Sequence, residues 1–172
     1  AKGTLYLYVE SKEALFDLVI RHADGPGTEP DFPVRSPKPG DTLAALSIRL
    51  RENGRFDRLE QALACAKPGR DELVSIIEEV FDVLAVNRGT IQVVNASARD
   101  LPELATLWYD QARTPLLERL ERYLNLGIEA AVFVPQPDPT TAARMILETS
   151  MWFAVHRAWD FKPDGLDDRA VR

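Results

Sequence analysis

The sequence predicts an all-α fold. Apolar residues recur at spacings of three and four along most of the chain, which is typical of amphipathic helices. Alternation with a period of two, which would indicate strands, persists nowhere, and no internal repeat of about 20 to 50 residues is visible. The 172 residues suffice for one compact domain, or for one domain with a small second unit.

The composition excludes several classes of protein. Hydrophobic residues make up 45% and charged residues 28%, an ordinary balance for a soluble protein. No apolar run approaches the roughly 18 residues that span a membrane, and no signal peptide opens the chain. The single Cys65 excludes an internal disulfide and suits a reducing cytoplasm, where we read it as a small buried apolar residue. With two histidines and no clustered ligands, we expect no metal and no cofactor.

The first predicted elements are short. Residues 1–8 combine two tyrosines, a threonine, a glycine and a lysine with single apolar residues, and the pattern breaks at Glu10 before an amphipathic helix over 12–23. Hydroxyl and ammonium groups bind phosphate oxygens, and a glycine permits close approach, so this chemistry suits a DNA-recognition helix. An amphipathic segment with solvent-facing tyrosines fits the composition equally well.

A proline- and glycine-rich linker follows over residues 24–40. Five prolines and three glycines in this stretch exclude regular structure and indicate a hinge or a flap between two packing units. Four helices are predicted after it: one from Asp41 to about Asn53, a short one capped by Asp57, a strongly periodic one from Arg70, and one over residues 90–98 after a break at Gly89.

Two long helices are predicted in the carboxy-terminal half. The first begins with Asp100 as its cap and Pro102 in its first turn, runs to about Ala131, and should kink at Pro115. The second is capped by Asp138 and runs from Pro139 to about Trp159 with apolar residues nearly all round. A helix of that kind must be buried on two sides, so one side needs a partner. Residues 162–172 are expected to begin a last helix.

The opening block resembles one known family. Residues 2–9, Lys-Gly-Thr-Leu-Tyr-Leu-Tyr-Val, and 11–16, Ser-Lys-Glu-Ala-Leu-Phe, resemble the (K/S)-G-T-L-Y-x-(H/Y)-(F/V)-x-(S/N)-K-E-x-L block of the tetracycline-repressor (TetR/AcrR) family. The resemblance implies the rear part of a helix-turn-helix DNA-binding head (1–23), the linker (24–40), and a helical regulatory and dimerisation domain of the tetracycline-repressor type (41–172). It also implies two further helices before Ala1, without which the chain is not expected to bind DNA. The net charge of −6 does not itself favour DNA binding.

The resemblance implies roles for particular residues. The DNA-facing positions would be Lys2, Gly3, Thr4, Tyr6, Tyr8 and Lys12. The family's helical layout would gather a set of aromatic and polar residues around an apolar effector cavity: Phe81, Asn95, Trp108, Tyr109, Gln111, Trp152, Phe153 and His156. Aromatic residues at helical spacing are equally typical of plain core packing. The dimer would form through the last long helix and the truncated helix after it, which together give a four-helix bundle, with Met145, Thr149, Met151, Val155 and Trp159 at the interface.

The functional prediction is a ligand-responsive transcriptional regulator, usually a repressor in this family. A homodimer would bind a palindromic operator, and a small, largely apolar effector would release it. The main alternative is a helical ligand-binding or dimerisation module that does not bind DNA. No Ser-His-Asp set, phosphate-binding glycine loop or paired carboxylates stand out in the sequence, so an enzyme is a distant third.

Overall fold

The computed structural model describes residues 2–25, 27, 29–65, 67–160 and 169. This part of the chain is helical and has no strand, with only an isolated bridge between Val9 and Val34, and the predicted all-α class is confirmed. The predicted last helix over 162–172 lies outside the described residues, apart from Arg169. The helices are α1 (Lys2–Leu5), α2 (Lys12–His22), α3 (Asp41–Asn53), α4 (Asp57–Cys65), α5 (Arg70–Val86), α6 (Arg88–Ser97), α7 (Pro102–Trp108), α8 (Thr114–Glu129) and α9 (Pro139–Met151).

Side-chain caps mark the starts of α2 and α9. The Ser11 hydroxyl accepts a hydrogen bond from the Ala14 amide at 3.1 Å and caps α2, and the Asp138 carboxylate accepts one from Thr140 at 3.2 Å at the start of α9. Two predicted caps are wrong. Asp57 is the first residue of α4, and the residue before α7 is Leu101 rather than Asp100.

The long helix predicted from Asp100 to Ala131 is interrupted. A π-helical turn over Tyr109–Arg113 separates α7 from α8, and the Thr114 amide donates to the carbonyl of Tyr109, five residues back. Pro115 explains the position of this turn, because it has no N–H to continue the ordinary ladder. A second π-helical turn, Trp152–His156, follows α9 and leads into a short 3₁₀ turn over Arg157–Trp159.

The core lies among the helices that follow the linker. Helix α8 packs along α9 and against α4, while α5 packs on α9 and on the turn that follows it. Helix α6 covers the same turn and contacts α2, so α2 rests on this core through α3 and α6. Among the described residues, no helix is long and apolar enough to span a membrane.

Tyr123 is a fully buried polar side chain in this core. Its hydroxyl donates to the Glu72 carboxylate at 2.6 Å and lies 3.3 Å from both the amide nitrogen and the carbonyl oxygen of Gly69. Burial, with the hydrogen bond to Glu72 and its negative charge, raises the pKa of Tyr123 to about 12. The bond joins the start of α5 to the middle of α8.

This pKa predicts a loss of stability at high pH. The raised value favours the neutral phenol in the folded state, so its contribution is complete below pH 10 and is lost as the pH rises from 10 towards 12. Tyr123→Phe should lower the free energy of unfolding by about 1–2 kcal/mol at neutral pH. The difference between wild type and variant, measured by urea unfolding, should shrink above pH 10. A difference that is constant from pH 8 to 12 would contradict this assignment.

Candidate ligand-binding site

A small, partly open cavity lies where α3, α5, α6, α8 and α9 meet the π-helical turn after α7. Its volume is about 70 Å³, well below the roughly 300–1,000 Å³ of typical ligand pockets. The helices that form the cavity walls therefore lie close together in this structure. The lining is mainly apolar and consists of Leu50, Asn53, Gly54, Phe56, Val83, Leu84, Asn87, Thr90, Ile91, Trp108, Gln111, Ala112, Arg113, Leu116, Arg119, Leu147 and Met151.

The polar groups of the lining are mostly uncharged and hydrogen-bonded. Asn53 on α3 donates to the side-chain oxygen of Asn87 at 3.2 Å, and Asn87 donates to the carbonyl of Val83 at 2.8 Å. Gln111, in the π-helical turn, accepts from the Ser47 hydroxyl of α3 at 2.9 Å. These bonds hold α3 against the α5–α6 junction and against the π-helical turn.

Both charged lining residues already have carboxylate partners. Arg113 pairs with Glu148, and Arg119 pairs with Glu60. The Arg119 guanidinium also lies over the Phe56 ring, 5.5 Å from its centre. The cavity therefore presents two arginines whose charge is neutralised within the protein.

The carboxylate of Asp24 joins the two cavity walls to the end of α2. Its side chain is 5% exposed and accepts from Arg49 of α3 at 2.7 Å. It also accepts from the amide of Thr90 at 2.9 Å and from the Thr90 hydroxyl at 2.5 Å. Arg49 donates a further bond to the carbonyl of Ile20 at 3.0 Å. One carboxylate thus bonds α3, α6 and the chain that leaves α2.

Gly89 brings the backbones of α2 and α6 into close contact beside Asp24. A Cβ atom added at Gly89 would lie 1.8 Å from the carbonyl oxygen of Ala23. Only glycine permits this approach. The sequence predicted a helix break at Gly89, but the break is at Asn87, and Gly89 is the second residue of α6.

Asp17, in the middle of α2, makes a second connection to α3, at the start of α3. The buried Asp17 accepts from the Thr42 hydroxyl at 2.8 Å and from Arg21 at 2.7 Å. Burial would raise the pKa of Asp17, but the hydrogen bonds from Arg21 and Thr42, with the guanidinium charge, outweigh it and hold that pKa below its ordinary value. Helix α2 is therefore tied to α3 at Asp17 and to both α3 and α6 at Asp24.

The structure brings only two of the eight predicted cavity residues, Trp108 and Gln111, to the cavity wall. Phe81 is buried in the core, and His156 lies 3.3 Å from Gln92, through its Nδ1 atom. The remaining four also lie outside the lining: Asn95 and Tyr109 are exposed, and the ring of Trp152, itself exposed, packs edge-on against the half-buried Phe153.

Sequence reasoning missed the residues that connect the cavity to α2. The sequence places Asp24 in the linker, and Arg49 and Thr90 have no unusual spacing. The signal that existed was the Asn-Arg-Gly sequence at 87–89, which marks a junction between two helices and places a glycine where close approach is possible.

The predicted dimer-interface residues fall into two groups. Met145 and Trp159 are 65% and 66% exposed, and Thr149 is exposed as well. Met151 and Val155 are 6% and 0% exposed, so their prediction as interface residues is corrected: they pack in the core of this chain. Because apolar residues lie nearly all round the predicted helix over 139–159, the sequence does not show which of its sides faces the core.

The amino-terminal segment exposes its tyrosines. After α1, Tyr6 and Tyr8 are 51% and 54% exposed, and Thr4 is also exposed. Lys12, the first residue of α2, has a side chain that is 86% exposed and lies 3.7 Å from Glu13. Lys2 and Gly3 are described by their backbone alone.

Two other expectations concern reactive or metal-binding groups. Cys65 is exposed at the end of α4, which overturns its prediction as a buried apolar residue. Within the described ranges, no group of three or more His, Cys, Asp or Glu side chains is placed to hold a metal ion.

The described helices surround a small, mainly apolar cavity, an arrangement that suits a ligand-binding domain. The family model described as "Tetracyclin repressor-like, C-terminal domain" matches residues 66–169, more than half of the chain. The chain belongs to this family, and it contains the ligand-binding regulatory domain of a tetracycline-repressor-type regulator. Domains of this kind are generally regulatory rather than enzymatic. The searches of curated proteins and of solved structures gave no significant match.

Proposed function

We propose that the full-length protein is a transcriptional regulator that binds a palindromic operator as a homodimer and is released by a small, largely apolar effector. The observation that carries this proposal is the bonding of Asp24 to both cavity walls at the end of α2. The helix that follows the DNA-facing segment is thereby attached to the site where a ligand would enter. A cytoplasmic location suits this role.

The coupling follows from the size of the cavity. A volume of about 70 Å³ has no room for an ordinary effector, so binding requires the walls to separate, and we propose that α3 and α6 move apart. Asp24 can keep both Arg49 and Thr90 only near the present separation, because hydrogen bonds weaken steeply with distance and angle. When one of these bonds is lost, α2 stays attached to a single wall of the cavity and can move with that wall. Half-sites lie about 34–36 Å apart, so a displacement of a few ångströms prevents both heads from docking together.

The DNA-facing surface consists of the exposed polar side chains around α1 and the start of α2. Thr4, Tyr6 and Tyr8 offer hydroxyl groups to phosphate oxygens, and Lys12 adds a positive charge at the amino terminus of α2. The resemblance assigns Lys2 and Gly3 to the same surface.

Removal of one phosphate contact tests this assignment. In the full-length protein, Lys12→Ala should weaken binding to DNA from its own promoter region and reduce the slope of log K against log salt by about one. Lys67→Ala removes another exposed lysine, from the loop before α5, and should leave the slope unchanged. Weak binding by the wild type that ignores DNA sequence would reject the regulator and favour a helical module that does not bind DNA.

The lining predicts an electrically neutral effector. Burying an unpaired charge is costly, and both arginines of the wall are already paired with glutamates. The uncharged amides of Asn53, Asn87 and Gln111 remain to bind a carbonyl or hydroxyl group on an otherwise apolar molecule.

Three aromatic probes of similar size test this chemistry. Titration calorimetry should give a Kd for benzamide at least tenfold below those for benzoate and benzylammonium. Ala112→Phe, which fills the cavity, should abolish benzamide binding, whereas Ala64→Phe on the exposed side of α4 should not. Tighter binding of benzoate, or binding that survives in Ala112→Phe, would contradict the assignment.

For the homodimer, we propose the exposed face of α9 and of the two turns that follow it as the interface. Met145, Thr149 and Trp159 lie on it, and Trp152, 40% exposed, is added in place of Met151 and Val155. These side chains supply the large apolar area that stable self-association requires.

A further inference from the structure

Part of the linker packs against the amino-terminal segment. Residues 32–36, which we call the strap, return from the end of α2 to the turn between α1 and α2. The Val34 amide donates to the carbonyl of Tyr8 at 2.8 Å, and the amide of Glu10 donates to the carbonyl of Val34 at 3.0 Å. These two bonds form the isolated parallel bridge between Val9 and Val34, and Val9 is only 2% exposed.

Side chains extend this contact on both sides of the bridge. The ring of Phe32 packs edge-on against Tyr8, with 5.8 Å between ring centres. The Ser36 amide donates to the Glu10 carboxylate at 2.9 Å, and the Ser36 hydroxyl donates to that of Ser11 at 2.7 Å. Since Ser11 caps α2, the strap contacts both the end of the DNA-facing segment and the start of the next helix.

The strap is also connected to α3, which forms part of the cavity wall. Four residues after Ser36, the chain turns at Gly40, where φ is +89°, and α3 begins at Asp41. The Asp41 carboxylate accepts from the amide of Lys38 at 3.2 Å, and the Asp41 amide donates to the Lys38 carbonyl at 3.0 Å, so this turn is itself held by hydrogen bonds. A displacement of α3 is therefore transmitted to the strap as well as to α2.

We propose that Val34 and Ser36 are positioning residues for DNA binding: through the strap they fix the turn that carries Tyr8 relative to α2 and α3. Among the described residues, and besides the bonds within the helices, the turn has three amide bonds of its own, from Leu7 to Thr4 and from Tyr8 and Val9 to Leu5, at 3.0–3.2 Å. An isolated turn of this length is marginal in water. The strap supplies the external bonds that hold it in one orientation.

The first experiment needs no DNA. Val34→Pro removes the N–H that bonds to Tyr8, and Val134→Pro makes the same change in an exposed loop before α9. Hydrogen exchange of the 172-residue chain should show at least tenfold faster exchange of the Tyr8, Val9 and Glu10 amides in Val34→Pro, with α5 and α8 unchanged. The same amides should keep their wild-type rates in Val134→Pro. Wild-type exchange rates for these amides in Val34→Pro would overturn the proposal.

The second experiment rests on the proposed function and uses the full-length protein. Ser36→Ala, which removes only the hydroxyl contact to Ser11, should weaken binding to promoter DNA three- to tenfold, and Val34→Pro more than tenfold. Benzamide binding should be retained in both variants, because neither residue lines the cavity. Failure of the wild type to bind DNA would reject the proposed function and leave the exchange result standing. Wild-type affinity in Val34→Pro would overturn the positioning role alone.

Discussion

Asp24→Asn is expected to lower the free energy of unfolding by about 2–4 kcal/mol and to disconnect the cavity from α2. The substitution places an amide donor opposite Arg49 and the Thr90 hydroxyl, in a position that is 5% exposed. Breaking one member of a buried charged cluster leaves its partners unsatisfied, which accounts for the size of the loss. Urea unfolding of the 172-residue chain measures it.

Asp57→Asn is the matched control for this change. Asp57 also pairs with an arginine, Arg55, but its side chain is 61% exposed, and exposed pairs contribute about 1 kcal/mol or less. The full-length Asp24→Asn variant should bind benzamide more tightly than wild type does. In wild type, separation of the cavity walls must break the bonds of Asp24, and the variant no longer has these bonds to break. Equal losses of unfolding free energy in the two variants would show that the bonds of Asp24 stabilise the fold no more than an exposed ion pair does.

Gly89→Ala is expected to have the second-largest effect. The new methyl group would lie 1.8 Å from the oxygen and 2.6 Å from the carbon of the Ala23 carbonyl, and these backbone atoms have no rotamer that relieves the clash. The end of α2 and the start of α6 must separate, at a cost of about 1–3 kcal/mol. The full-length variant should then bind operator DNA weakly even without effector.

Gly69→Ala provides the comparison, because nothing lies within 4 Å of a Cβ atom added there. Its φ of −147° is accessible to any residue, so only a small change in stability is expected. If Gly89→Ala bound DNA as tightly as Gly69→Ala, close approach of α2 and α6 would not be needed for the DNA-binding state.

The helices were predictable because their signals are local. The starts at Lys12, Asp41 and Pro139 follow from a capping serine, from the end of a proline-rich stretch and from an Asp-Pro pair, each acting within one turn. The split of the long helix at Tyr109 was only partly predictable. Pro115 signalled a disturbance, but a bend and a widened turn both relieve the missing N–H.

The cavity was less predictable than the helices. The helical spacing of apolar residues indicates that a side chain is buried, but not whether it faces other core residues or a cavity. Phe81 and Trp108 have the same helical spacing signal, yet one packs in the core and the other lines the cavity. Asp24 gave no signal at all, since its partners lie 25 and 66 positions along the chain. Long-range bonds of this kind depend on how the helices pack.

Amide exchange at Thr90 tests most directly whether the cavity walls are joined to α2 through Asp24. Ala112→Phe places a ring in the cavity and acts as a permanent ligand, so the walls should part and the Thr90 amide, which donates to Asp24 at 2.9 Å, should lose its bond. The account predicts at least tenfold faster exchange of this amide in Ala112→Phe than in wild type or Ala64→Phe, with α8 still protected. An unchanged Thr90 rate in a folded Ala112→Phe protein would contradict it.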